Sequence, residues 1–348
     1  MVFLYVFFGI VCVVTLSTQL SLSFATVALQ PNLQLIFTRH FWDYLPRCLL
    51  PRVAFCARAG PNGAGKTTLL ETLSGLTIPQ HGRALVGGVD IARERRRALG
   101  LLGVCPQFDV VWPELTVADH LLLYARLKGV TLAQQRAAAT LAATKVSLDG
   151  DAFLLKSREL SGGMRRRLSI AAALVGEPKV VILDEPTTGL DPDTRQKIWS
   201  IIMAERRPNR AIILTTHSME EADTLCSRIG IMAAGKLRAL GTPQRLKSTY
   251  GTGFKLEVTV KPGGRNHAAA AEAFVQSLVK AERRHEVTSS KQVGDTATFA
   301  LPRGAFDAAE ALAELQARSH EHGILEWSLA QPSLEEVFVN IANKYTRD

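Results

Sequence analysis

Gly60-Pro61-Asn62-Gly63-Ala64-Gly65-Lys66-Thr67, followed by Thr68-Leu69-Leu70, is the stretch on which the reading of this chain turns. It fills every position of the pattern G-x-x-x-x-G-K-[ST]. The glycines let the backbone curl until successive N–H groups point inward. Thr68-Leu69-Leu70 then begins a helix whose N-terminal dipole adds to the attraction for anions. Lys66 supplies a point charge for the β- and γ-phosphates of a nucleotide, and Thr67 a hydroxyl for Mg²⁺. Gly60, Asn62, Gly63, Ala64, Gly65, Lys66, Thr67 and Thr68 are therefore the expected phosphate cradle of an ATP site.

Working outward, Val180-Val181-Ile182-Leu183 is an apolar strand that runs into Asp184-Glu185. A carboxylate at the carboxyl edge of a sheet, beside a phosphate loop, can hold the Mg²⁺ shell, which assigns Asp184 to the metal. Glu185, next to it, can polarise a water for in-line attack on the γ-phosphate. Leu160-Ser161-Gly162-Gly163-Met164 places a serine and two glycines at the start of another helix, a second anion-binding turn. One nucleotide rarely needs two such turns from one subunit, so Ser161, Gly162 and Gly163 are expected to cap the γ-phosphate of ATP bound by a partner chain. Gln107, after Val104-Cys105-Pro106, and His217, in Thr215-Thr216-His217-Ser218, complete the set by their order and spacing.

Around these motifs the texture is that of an α/β protein. The apolar runs Leu101–Val104, Val180–Leu183, Ile212–Thr215 and Ile229–Met232 alternate with helical stretches at Val117–Leu127, Met164–Val175 and Asp193–Arg206. That alternation predicts a mostly parallel sheet covered on both faces. No strand is expected between Pro106 and Leu160, which reads as a helical insertion. After residue 250 the pattern changes to a strand at Phe254–Val260, a helix at His267–Arg284, a short strand near Glu286–Thr288 and another at Thr296–Leu301. A helix at Phe306–His320 and an extended stretch at Ile324–Ala330 follow, in the order of a split β-α-β, ferredoxin-like unit. Ser333-Leu334-Glu335-Glu336 opens a last helix as a capping box. The expected boundaries are 1–50, an uncharged hydrophobic segment; 51–248, an ATPase domain with a helical subdomain at about 106–175; and 249–348, a small α+β domain.

Taken together, the motifs make the chain resemble the nucleotide-binding domain of ATP-binding cassette (ABC) transporters. The phosphate loop, Gln107, LSGGM at 160–164, Asp184-Glu185, Gly189-Leu190-Asp191 and His217 stand in that family's order over roughly 51–245. Several stretches look more closely like the A subfamily of lipid-exporting members: Cys105-Pro106-Gln107-Phe108-Asp109, Glu114-Leu115-Thr116-Val117, His120–Leu127, Thr216–Asp223 and Ser333–Phe338. The resemblance implies a P-loop ABC ATPase fold, with a regulatory domain after the cassette. It implies that Gln107 belongs to the Mg²⁺ shell and relays nucleotide state to membrane helices. Asp191 would lie at a dimer seam, and His217 would contact the γ-phosphate and the attacking water. Implied partners are a second cassette in a head-to-tail pair, the transmembrane domains of a transporter, and a lipid substrate. The cassette would be membrane-associated, on the cytoplasmic face. The adenine contact is unassigned, with Trp42 and Tyr44 as available aromatics.

The formal charge of +9 suits an anionic partner. The arginine clusters at Arg93–Arg97 and Arg165–Arg167 lack aromatic interleaving, so they read as solvated helix faces, or as faces toward a membrane protein's acidic loops, and no nucleic-acid partner is expected. The five cysteines are scattered and unpaired in pattern, which argues against a disulfide framework or zinc site. The first 38 residues carry no Asp, Glu, Lys or Arg. That segment is either a membrane-spanning helix or sequence foreign to the domain. Rival functions are a soluble mechanochemical ABC protein, a small-molecule kinase, and an inactive fragment of a transporter. Neither paired cassettes nor long coiled coils support the first, and LSGGM at 160–164 has no role in the second.

Overall fold

In the computed structural model the described residues are 2–7, 10–15, 24–28, 33–38, 54–59 and 65–346, the last range without 234, 252, 262–264, 281–282, 284–286, 294 and 303. Chain contacts divide it into two units, 1–243 with 345–348, and 244–344.

The first unit opens with β1 (Val2–Phe7) and β2 (Ile10–Thr15), paired antiparallel. Then come β3 (Phe24–Ala28), β4 (Leu33–Thr38) and β5 (Ala54–Ala59). Of the two readings of 1–50, the membrane helix is corrected, because the described residues there are strands. The segment's Val, Ile, Phe and Thr favour extended backbone. Among the described residues no helix is long and apolar enough to cross a membrane.

Next follow α1 (Lys66–Leu73), β6 (Arg83–Val86), β7 (Val89–Asp90), α2 (Arg95–Leu101) and β8 (Leu102–Cys105). Strands β3, β4, β6 and β7 form an antiparallel sheet in that order. Strands therefore precede the phosphate loop and pair with strands that follow it, in Leu33↔Val86 to Ile36↔Arg83 register. The expected helical insertion holds α3 (Val117–Leu127), α4 (Leu132–Lys145) and the start of α5 (Gly162–Leu174), with 3₁₀ turns at Gly150–Leu154 and Ser157–Glu159. Thr116 caps α3 by accepting from the Asp119 N–H, while Asp119 accepts from the Thr116 N–H in return.

Beyond the insertion run β9 (Val180–Asp184), α6 (Pro192–Ala204), β10 (Ala211–Thr215), α7 (Met219–Leu225), β11 (Arg228–Ala233) and β12 (Lys236–Gly241). The central sheet has the order β12-β11-β5-β10-β9-β8, with every pair parallel except β11 with β12. All of β10 and β11 is buried, as strands covered on both faces must be. Leu70 and Leu73 of α1, Val86 and Val89 of the front strands, and Ile182 and Ile213 of the central sheet share one core, which joins the two sheets.

Helix α8 (Pro243–Tyr250) leads to the second unit. There β13 (Phe254–Val260), α9 (Arg265–Ser277), β14 (Thr288–Val293), β15 (Thr296–Leu301), α10 (Ala308–Arg318), β16 (Ile324–Ala330) and α11 (Leu334–Thr346) follow in order. The sheet is antiparallel, in the order β14-β15-β13-β16. Leu256, Val258, Phe274, Val275, Phe299 and Leu315 lie in its core. Helix α9 stops short of the expected Arg284 because the Lys280 N–H turns to Ala305 O at 2.8 Å instead of continuing the helix.

Candidate functional site

The parallel register of the central sheet gathers the motifs. Thr215 at the end of β10 pairs with Asp184 on one side and Ala57 on the other, and Leu183 pairs with Cys105. Residues immediately after β5, β8, β9 and β10 must therefore leave the sheet at one carboxyl edge, where open α/β sheets bind ligands. Those residues include Gln107, Glu185 and His217. Gly60, Asn62, Gly63 and Ala64 lie outside the described residues, as do Trp42 and Tyr44. Gly65 enters α1 with φ +89°, a left-handed conformation that only glycine adopts without strain. Lys66 is the first helical residue, while Thr67 and Thr68 are exposed on the first turn.

Four side chains converge on the Glu185 carboxylate. Lys66 Nζ lies 3.5 Å from Oε1, and His217 Nδ1 lies 3.4 Å from Oε2. Gln107 Nε2 donates to Oε2 at 3.1 Å and Thr188 Oγ1 donates to the same oxygen at 3.2 Å. The backbone of Glu185 is left-handed, with φ +44°. For a non-glycine residue that costs of order 1–3 kcal/mol and persists only where the surroundings over-determine it. Thr215 is one such restraint, because the Glu185 N–H donates to its carbonyl and hydroxyl oxygens, each at 3.1 Å. The same Thr215 hydroxyl donates to Asp184 Oδ1, which orients that carboxylate.

Further restraints come from two residues whose importance the sequence reading missed. Arg166, read as part of a solvated arginine face, is buried and engages both the Gln107 and the Glu185 segments. No periodicity marked it, because α5 is buried continuously from Leu168 to Leu174. Glu221, read only as part of a family-like stretch, is buried under α7. Its Oε1 accepts from Thr187 Oγ1 at 2.8 Å and from Trp199 Nε1 at 3.0 Å, which ties α7, the helix that follows His217, to the segment after Glu185 and to α6.

Ser161 and Asp191 are exposed helix caps. Ser161 Oγ accepts from the Met164 N–H at 3.2 Å, and Asp191 Oδ2 accepts from the Thr194 N–H at 2.9 Å. The latter bond holds the Asp191 carboxyl below the usual carboxylate range. The two caps are neighbours, since a Cβ on Gly163 would lie 2.7 Å from Thr194 Cγ2. Among the described residues neither Ser161 nor Asp191 hydrogen-bonds the Glu185 carboxylate. Cys105, two residues before Gln107, is a free buried thiol whose pKa burial pushes up to about 12.

A left-handed glycine entering α1 at Lys66 and a carboxylate at the carboxyl edge of a parallel sheet fit a P-loop ATPase domain, and the family and fold matches make it one of the ABC class. Residues 51–188 match the family model described as ABC transporter. Two solved structures share the fold. One is described as the ATP-binding subunit of an ABC transporter, at TM-score 0.53 and 25% identity, covering 59% of this chain and 85% of that one. The other is cbiO1 from Clostridium perfringens, described as part of the ABC transporter complex cbiONQ, at TM-score 0.52 and 25% identity, covering 59% of this chain and 84% of that one.

Residues 51–188 thus carry an ABC transporter domain, and the chain is similar to the A family of ABC transporters over most of its length. It is 44% identical over 304 residues to ABC transporter A family member 11 of Arabidopsis thaliana, covering 83% of this chain and 30% of the relative. Member 2 of the same plant is 43% identical over 298 residues, again 83% of this chain and 30% of the relative. The chain thus spans about 30% of the length of these curated relatives.

Proposed function

We propose that this chain is the ATP-hydrolysing cassette of an A-family-like transporter, and that its turnover powers the movement of a lipid across a membrane. The observation that carries this reading is the convergence of Lys66, Gln107, Thr188 and His217 on the Glu185 carboxylate. Those side chains come from separate elements, and together they fix where the carboxylate points at the carboxyl edge of the sheet, the place from which it could polarise a water. In this reading Gly60–Thr68 cradles the phosphates of ATP and Lys66 neutralises the β- and γ-phosphates. Glu185 takes a proton from a water whose oxygen bonds to the γ-phosphorus as the bond from that phosphorus to the ADP oxygen breaks. His217 holds the γ-phosphate and the water in line.

The donors present fit Mg²⁺. Thr67 offers a hydroxyl, Asp184 a carboxylate and Gln107 an amide oxygen, all hard oxygens, and Mg²⁺ takes few protein ligands beside water and phosphate. When bound it would offset the negative charge that develops on the transferring phosphoryl group. Ser161, Gly162 and Gly163 would cap the ATP of a second cassette, with Asp191 at the seam, and the exposure of Ser161, Gly162 and Asp191 at the helix ends supports this. The β-α-β-β-α-β order of 254–330 supports a ferredoxin-like regulatory domain, with boundaries near 51–248 and 249–348. Likeness to the A family supports transmembrane partners, a lipid substrate and a cassette at the cytoplasmic face of a membrane.

The test is hydrolysis by the Glu185→Gln variant. ATP binding should stay intact while turnover falls at least ~10²-fold, since activating the water is a large share of the catalysis. Lys66→Ala should lose binding itself. Equal turnover by the Glu185→Gln variant and the parent would remove this reading.

A further inference from the structure

We propose that Arg166 is a positioning residue for hydrolysis, one that holds Glu185 and the Gln107 segment in a single register on helix α5. The inference deepens the ATPase reading and rests on it.

A guanidinium carries five N–H groups in a rigid planar fork. In Arg166 all five have partners. Nε donates to Pro186 O at 2.8 Å, and Nη2 donates to Asp184 O and Glu185 O, each at 2.9 Å. Nη1 donates to Pro106 O at 2.7 Å and to Asp109 Oδ1 at 3.1 Å. Three successive carbonyls around Glu185 are thereby gripped from one side. Thr215 grips the Glu185 N–H from the other. Together the two hold the left-handed backbone that aims the carboxylate. The remaining two bonds bracket Gln107, which sits between Pro106 and Asp109 and itself donates to Glu185 Oε2. Asp109 also supplies the opposite charge that a buried guanidinium requires.

Its five bonds go to four backbone carbonyls and Asp109, not to the Glu185 carboxylate, so it acts through backbone placement. It lies on the helix capped by Ser161. The turn proposed to read a partner's nucleotide is therefore built on the same rigid element as the clamp on this chain's own Glu185. A lysine cannot replace it, because a single ammonium has three donors at one point and cannot span five acceptors in two segments.

The test compares ATP hydrolysis by the full chain in four forms: the parent, Arg166→Lys, Glu185→Gln and the double variant. Arg166→Lys should lower kcat by about 10- to 100-fold, the range set by misplacing a catalytic group by roughly an ångström, with KM for ATP within about threefold of the parent. In the Glu185→Gln background the same substitution should cost nothing further, because its effect passes through Glu185. Parent-like kcat in Arg166→Lys would overturn the inference, as would a loss that multiplies in the double variant. If Arg166→Lys does not fold, Asp109→Ala goes through the same cycle. It removes the single side-chain acceptor and leaves the four carbonyl bonds, so kcat should fall several-fold, and an unchanged kcat would overturn the inference. Equal turnover by the parent and Glu185→Gln would instead remove the ATPase reading, and this inference with it.

Discussion

Gly103 shows how little room some single positions leave. A Cβ built there would stand 1.9 Å from Ala173 O and 3.0 Å from Pro178 Cγ, because β8 packs directly on α5. Backbone atoms cannot step aside, so Gly103→Ala must push the strand off the helix. A loss of about 1–3 kcal/mol is expected, read as a lowered urea midpoint with unchanged slope. A midpoint equal to the parent's would mean that β8 and α5 are not in this contact. The same scale explains what could be read before the fold was known. Lys66, Gln107, Glu185 and His217 each stand directly after a strand or at a loop-to-helix junction, so their neighbours along the chain signal their place. Arg166 has no such neighbours. Its five acceptors lie 57 or more residues upstream and 18 to 20 residues downstream, and three consecutive arginines look like surface. Thr188 and Thr215 were hidden similarly, as ordinary hydroxyls whose partners only tertiary structure supplies.

Helices and strands were legible where a cap or an alternation marked them. Thr116 and Asp119 begin α3 at Val117, where the pattern places it, and β13, β15 and β16 alternate cleanly over Phe254–Val260, Thr296–Leu301 and Ile324–Ala330. The front sheet was not legible, because β3 and β4 are so apolar that periodicity could not separate strand from membrane helix. The pairing of β4 with β6 gives the first 50 residues a part in this sheet. Their removal would strip β4 from β6 and bare an edge. The shortened chain should be less soluble than the parent, measured as the fraction remaining after centrifugation, and better solubility would contradict the pairing.

Helix α3 also carries a pH dependence. His120 Nδ1 is placed to donate to Thr116 O at 2.8 Å, while Nε2 accepts from the Trp112 N–H at 2.8 Å. Burial lowers its pKa from the ordinary 6.5, although the Thr116 bond and Asp119 pull the other way. A second proton would destroy the Trp112 bond. Stability from this group is therefore complete above 6.5 and is lost as pH falls from there through the lowered folded value. Chemical denaturation of the parent from pH 7.5 to 5, against His120→Leu, should show a slope that only the parent has. Equal slopes would contradict the assignment.

On the scale of the whole molecule, the ATPase unit and the α+β unit that follows each have a core of their own. The order of motifs made the first unit's class readable from the chain. The end of α9 and the extent of β14 were less so, because Ala-rich helices and the polar run Thr288-Ser289-Ser290 carry little periodic signal. In the proposed function this unit works only as one of a pair, with the turn at Ser161–Gly163, exposed at Ser161 and Gly162, completing the partner's site. Such a site is heterologous in its parts, and two defective chains can repair one another. The direct measurement mixes a Lys66→Ala chain, which lacks the phosphate-binding charge, with a Ser161→Arg chain, which lacks the capping turn. Each alone should be inactive. Their mixture should hydrolyse ATP at roughly a quarter of the parent rate, since half the pairs are mixed and each has one intact site of two. No recovery, with mixed pairs shown to have formed, would contradict a shared site.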